Sequence, residues 1–147
     1  MAYVQHPLIR TVIGRAIEVH HVLGPGLMES SYSRYFAYEL IVAGIPFRQE
    51  VRMPIQYKDV TIECGYRADF IIDGWLLIEV KSVETILPIH IAQTMTYLRL
   101  SEARQPLILN FNCIRLVDGI RSLVRSDEKR GRAGVPSDAL EVPIEGI

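Results

Sequence analysis

Apolar residues recur at helical spacing from Leu8 to Leu23, at Val12, Ile13, Ala16, Ile17, Val19, Val22 and Leu23. That is the signature of a helix with one buried stripe. Gly24-Pro25-Gly26 ends it. A second helix is predicted from Met28 to Val42, its apolar side supplied largely by Leu27, Tyr35, Phe36, Leu40 and Ile41, with Gly44 as its C′ residue. Beyond it come three expected strands, Phe47 to Tyr57, Thr61 to Ile72 and Trp75 to Ser82, with Asp73-Gly74 as a hairpin signal between the last two. Pro88 then opens a helix running to Ser101, at a position where its missing N–H does no harm. Leu107 to Phe111 reads as a buried strand, and Arg115 to Val124 as a short strand and a helical turn. From Ser126 the composition turns polar with Gly and Pro, so residues 1–125 are expected to form the domain and 126–147 a tail. The order α-α-β-β-β-α-β implies an α/β domain with a mixed central sheet of about four to five strands flanked by helices.

The hairpin holds the chemistry. Even positions 68, 70, 72, 76, 78 and 80 are all apolar, whereas Arg67, Asp69, Glu79 and Lys81 are all odd. Side chains alternate between the faces of a sheet, so each strand keeps its charges on one side. Loop length decides whether the two strands agree. A two-residue turn at Asp73-Gly74 would set Asp69 opposite Ile78 and Glu79 opposite Ala68, mixing charge into the apolar face. An odd loop, a type I turn closed by a glycine bulge at Gly74, puts Asp69, Glu79 and Lys81 on one face, and this is the arrangement expected.

Two like charges about 4 Å apart repel by roughly 4 kcal/mol at an effective dielectric of 20. Folding does not favour such a pair unless a cation or a shared proton relieves it. Mg²⁺ or Mn²⁺ suits a carboxylate site, because hard cations take oxygen ligands. Such an ion polarises a phosphoryl oxygen and acidifies a bound water. Lys81 is then placed to position that water or to offset charge on phosphorus. The plainer reading is an exposed Asp/Glu/Lys cluster of weak ion pairs. Against it stand Ile71 and Leu77, odd-numbered and apolar, which suggest that this face is covered as well.

Composition narrows the field. The chain of 147 residues is one domain long, with 49% hydrophobic and 22% charged residues, ordinary for a globular protein. No apolar run approaches the roughly 20 residues of a membrane span, and MAYVQHPLIR lacks the basic start and apolar block of a secretion signal. Cytoplasmic residence and no membrane partner are expected. Cys64 and Cys113 are too few and too isolated for a zinc site and are expected to be reduced packing residues. A net charge of −1 leaves no basic coat. Still, 13 of 16 basic residues are Arg, and Arg115, Arg121, Arg125, Lys129, Arg130 and Arg132 gather late in the chain. These form either a phosphate-binding stripe or a solvated surface. No Walker-type glycine loop is present, which argues against an enzyme for small phosphorylated molecules.

With its flanking elements added, the hairpin resembles the PD-(D/E)XK nuclease superfamily, and more narrowly the small proteins named for a GxxExxY motif. That motif reads Gly26-Leu27-Met28-Glu29-Ser30-Ser31-Tyr32; the hairpin supplies Tyr66-Arg67-Ala68-Asp69 and Glu79-Val80-Lys81; Gln93-Thr94-Met95-Thr96-Tyr97 matches a Q-x-x-x-Y element of RecB-type exonuclease domains. The likeness covers about residues 8 to 124 and departs from the literal motif at Ala68, where proline precedes the aspartate elsewhere.

The resemblance implies a restriction-endonuclease-like fold and a metal-dependent nuclease acting on nucleic acid, DNA ahead of RNA, at ends or on single strands. It implies Asp69 and Glu79 as metal ligands, Lys81 as the catalytic lysine and Glu29 as a further acid, direct or through water. Gln93 and Tyr97, at i and i+4 on one helix side, would orient substrate or the attacking water. His20 stands where a helix histidine joins the metal in some RecB-type relatives; a hydrogen-bonded packing histidine is the alternative. His90 shares the stripe of Gln93 and Tyr97 and is either substrate-facing or surface. Tyr32 either meets substrate or fixes Glu29 by packing and a hydroxyl bond. Trp75 at the hairpin tip packs or stacks on a base. Two copies pairing as a homodimer would enlarge the grip of so small a domain. A non-catalytic binding or subunit-interaction module on the same fold is the competing account.

Overall fold

The computed structural model describes residues 6–63, 65–125 and 139–142. Helix α1 spans Pro7–Leu23, with Pro7 in its first turn and the His6 ring accepting the N–H of Leu8. It ends at Gly24, whose φ of 69° lets its N–H reach back to His20 O. Helix α2, Glu29–Val42, ends on Gly44, also left-handed at φ 69°, as the pattern predicted. Both helices lie on one face of the sheet.

The expected first and second strands, Phe47 to Tyr57 and Thr61 to Ile72, are each divided. Strand β1 (Phe47–Arg52) belongs to the main sheet, whereas β2 (Ile55–Tyr57) and β3 (Val60–Ile62) pair with each other as a separate two-stranded arm. Strands β4 (Arg67–Ile72) and β5 (Leu76–Lys81) form the central hairpin, and α3 (Pro88–Leu100) crosses over to β6 (Gln105–Asn110), parallel to β5. A 3-10 turn, Leu116–Gly119, leads into β7 (Ile120–Arg125).

The sheet is mixed, in the order β1-β4-β5-β6-β7-β8. Its sixth strand, β8 (Ala139–Val142), comes from the segment expected to be a tail and pairs antiparallel with β7. Four polar-flanked residues have no periodicity to announce a strand; the exposed edge of β7 recruits them.

Two apolar layers enclose the sheet. Phe70, Ile72, Leu76, Ile78 and Val80 pack with α1 and α2 side chains such as Val12, Ala16, Phe36 and Leu40. Ile71 and Leu77 pack on the other side with Met95 and Leu98 of α3. The odd-numbered face is therefore covered, as Ile71 and Leu77 suggested. Ala68 is the exception to the alternation, grouping with the α3 layer. None of the helices among the described residues is long and apolar enough to cross a membrane.

Candidate active site

The β4–β5 turn sets the register on which the site depends. Asp73 and Gly74 both have positive φ, 53° and 62°, as a type I′ turn requires, and Trp75 N–H closes it on Ile72 O at 3.0 Å. Trp75 is the extra residue, so Ile72 pairs with Leu76 and Phe70 with Ile78. The loop is odd, but it ends at Trp75 rather than at Gly74, and one more step of the same register sets Asp69 opposite Glu79. The Trp75 indole stacks on His6 at the start of α1, 4.2 Å between centroids. It packs.

The ladder stops where the acids begin. Past Phe70↔Ile78 the backbones no longer pair with each other; side-chain carboxylates take their place. Glu79 Oε1 accepts the N–H of Asp69 at 3.0 Å, and Asp69 Oδ2 accepts the N–H of Val80 at 2.8 Å. Each acid satisfies the backbone of the opposite strand, which holds both carboxyl groups between the strand ends. On the other flank, β1 is regular in register but places Glu50, opposite Asp69, at φ 53°, and Glu50 pairs with Arg67 at 3.5 Å. A non-glycine residue in the left-handed region carries strain of about 1 kcal/mol or more. It sits beside the acids.

Burial governs the charge of the pair. Glu79 is only 4% exposed. Burial, then the neighbouring Asp69 charge, push its carboxyl up to about 8 from an ordinary 4.5, against the opposing pull of the Asp69 N–H and Lys81. Asp69 is raised too, first by burial and also by Glu29, while the Val80 N–H, Lys81 and Arg67 pull the other way. Glu29 thus acts on Asp69, entering from the first turn of α2, where its Oε1 meets Ser82 N–H at 3.4 Å. Lys81 lies at the end of β5, half-buried, opposite Asn110 in the parallel ladder. Tyr97 of α3 completes this side: burial, then Glu79 and Asp69, raise its hydroxyl above the usual value.

The GxxExxY segment works as a brace. Gly26 adopts φ 99°, which disfavours any side chain there. The Tyr32 hydroxyl donates to Gly24 O at 2.5 Å and accepts the Leu27 N–H at 3.2 Å, closing the loop that precedes Glu29. Ser82 Oγ donates to Leu27 O at 2.6 Å, tying the same loop to the end of β5. Tyr32 is fully buried and stacked on Phe111 at 4.5 Å, so the expectation that it meets substrate is corrected: it fixes the loop that delivers Glu29.

His20 is also engaged in packing. Its Nε2 donates to Cys113 O at 2.8 Å, and its ring tilts against Phe111. That bond and that contact match the packing alternative for His20. His90 is half-buried at the first turn of α3, where its Nδ1 accepts the Leu87 N–H at 2.9 Å; it caps the helix. Gln93 is exposed, one turn before Tyr97.

Two positions carry weight that the sequence reading did not assign. Asn110, 5% exposed, accepts the Val83 and Asn112 N–H groups through Oδ1 and donates to Val83 O, clamping the exit from β5 beyond Lys81. A polar residue closing the apolar run Leu107-Ile108-Leu109 was its only signal. Gly119 admits no side chain, since a Cβ there would lie 2.1 Å from Asn110 O. Of the late basic residues, Arg115 is paired with Asp118, and Lys129, Arg130 and Arg132 lie outside the described residues, as does Cys64. The Cys113 thiol donates to Asn110 O, a packing role, with burial raising its proton affinity.

Comparison with known proteins bears on the same region. A family model described as the PD-(D/E)XK nuclease superfamily matches residues 6–123. Neither a curated protein nor a solved structure matches the chain.

Proposed function

Because the chain belongs to the PD-(D/E)XK nuclease superfamily, we propose that it is a Mg²⁺- or Mn²⁺-dependent nuclease that hydrolyses phosphodiester bonds in DNA. The observation that carries this reading is the pairing of half-buried Asp69 with buried Glu79, held between two strand ends with Lys81 in electrostatic reach. The donor chemistry fits a hard cation. Both groups are carboxyls, each fixed by one backbone N–H, and their proton affinity is raised first by burial, so a bound cation would be what favours their ionised form. Mg²⁺ commonly takes one or two carboxylates and fills its remaining positions with water and substrate phosphate, so a two-carboxylate site suffices.

Asp69 and Glu79 would hold the cation, with Glu29 as a further acid acting directly or through water. When bound, the ion supplies Lewis acidity at a phosphoryl oxygen. Lys81 supports the reaction by presenting an ammonium to the charge that builds on the phosphate oxygens. Tyr97 and Gln93, on one side of α3, orient the strand. Tyr32 and Ser82 keep the loop before Glu29 in place, so the third acid does not drift.

The test is cleavage of single- and double-stranded DNA and RNA by the full chain with Mg²⁺ or Mn²⁺. Asp69→Asn, Glu79→Gln and Lys81→Ala should each lower the rate by about 10²-fold or more. An enzyme inert on every substrate with both metals refutes the reading. The competing account is a non-catalytic binding or subunit-interaction module on the same fold. Calorimetric titration separates the two accounts, since a module has no need to bind either metal.

A further inference from the structure

Between the end of β1 at Arg52 and the start of β4 at Arg67, β2 and β3 form an arm. Its base is fixed by the buried Met53, whose N–H donates to Tyr66 O at 2.9 Å. Beyond the base, Tyr57, Val60 and Ile62 are all exposed. Tyr66 itself is 40% exposed, and its ring meets Tyr97 edge to face, 6.4 Å between centroids. Tyr97 in turn feels the charges of Asp69 and Glu79. The exposed Tyr66 ring is thus linked through Tyr97 to the side of the acid pair that faces α3, and lies three residues before Asp69 in the chain.

Charge on the arm does not favour a phosphate track. Lys58 is outnumbered by Asp59 and Glu63, and its ammonium already lies 5.3 Å from the Tyr57 ring centroid. What the arm offers is aromatic surface. A ring can stack on a base only where that base has a free face, which a base inside a duplex lacks.

We propose that Tyr66, backed by Tyr97, is a base-binding residue that stacks on an unpaired DNA base beside the phosphate presented to Asp69 and Glu79, with Tyr57 as a further platform along the arm. This rests on the nuclease reading and extends it to how the strand is gripped. The site selects single strands or frayed ends because only they expose a base to Tyr66.

The experiment uses the full chain carrying Asp69→Asn, so that bound DNA is not cut, and measures anisotropy of a labelled oligodeoxythymidylate and of a matched duplex. The single strand should bind more tightly. Adding Tyr66→Ala should weaken single-strand binding about 5-fold or more, as stacking of one base implies, while Tyr66→Phe keeps it and duplex affinity is unchanged. Equal affinity of the Ala and parent proteins overturns the proposal, as does a Phe variant as weak as Ala. Should Tyr66→Ala fail to fold by circular dichroism, Tyr66→Trp replaces it: indole emission quenched by the oligonucleotide is expected, and unquenched emission overturns the proposal. Strand-selective, Tyr66-dependent binding by a wild-type chain that cuts nothing would sink the nuclease reading and leave this one standing.

Discussion

Glu79 is buried among apolar strands with its carboxyl raised from 4.5 to about 8, and that makes the metal-free fold sensitive to pH in a definite direction. In the unfolded chain the group ionises near its ordinary value; in the fold it keeps its proton until about pH 8. Between the two values the unfolded state holds fewer protons than the native state, so stability falls as pH rises. Its contribution is complete below about pH 4.5 and has gone once pH passes about 8. Each pH step inside that interval lowers stability by up to about 1.4 kcal/mol, so the metal-free protein loses on the order of 4 kcal/mol between pH 5 and pH 8. Glu79→Gln removes the titration while leaving an oxygen to accept the Asp69 N–H. Urea denaturation of both proteins in EDTA across this range reads the effect, because titrating groups that do not interact with Glu79 cancel in the difference. The Gln variant should gain steadily on wild type as pH rises, and millimolar Mg²⁺ or Mn²⁺ at pH 8 should restore wild type by binding the native state alone. A stability difference that stays flat, or that narrows with pH, would refute the account of a Glu79 carboxyl raised by burial.

Other perturbations report on the frame around the pair. Tyr32→Phe removes the bonds to Gly24 O and Leu27 N–H and should cost about 1–3 kcal/mol by leaving buried groups unpaired, read by denaturant unfolding, with cleavage slowed as Glu29 loosens. Gly119→Ala forces a methyl onto Asn110 O and should destabilise by about 1–3 kcal/mol, visible as a melting temperature lower by several degrees. Asn110→Ala frees the Val83 segment and should lose about 1–3 kcal/mol together with activity, because Lys81 lies just upstream. Arg48→Ala breaks an ion pair with Glu102 whose side chains are both over half exposed and should change stability by about 1 kcal/mol or less; a larger loss would show that surface pairing matters more here than solvent screening permits.

The helices and the hairpin were legible because their signals are local. Spacing along Val12, Ala16 and Val19 marks α1, Gly44 marks the end of α2, and the parity of residues 67–81 demanded an odd loop if the charges were to share a face. The exact closure was not legible: Asp73-Gly74 makes a primed two-residue turn and Trp75 is the added residue, with contacts to His6, Arg104 and Gln105 that lie far off in the chain. The same holds for Tyr32 and His20. Their residue types allowed a place at the site, and only packing against Phe111 turned them into braces.

What the chain determines by itself is therefore which residues alternate, which helices form and which acids share a sheet face, since these follow from periodicities of a few residues. Tertiary structure alone decided that β2 and β3 leave the sheet as an arm, that residues 139–142 extend it, and that Ser82 and Asn110 clamp the end of β5. Those outcomes depend on partners dozens of residues away. An edge strand's unpaired backbone, or a buried amide's need for hydrogen bonds, exists only once the fold has brought the segments together.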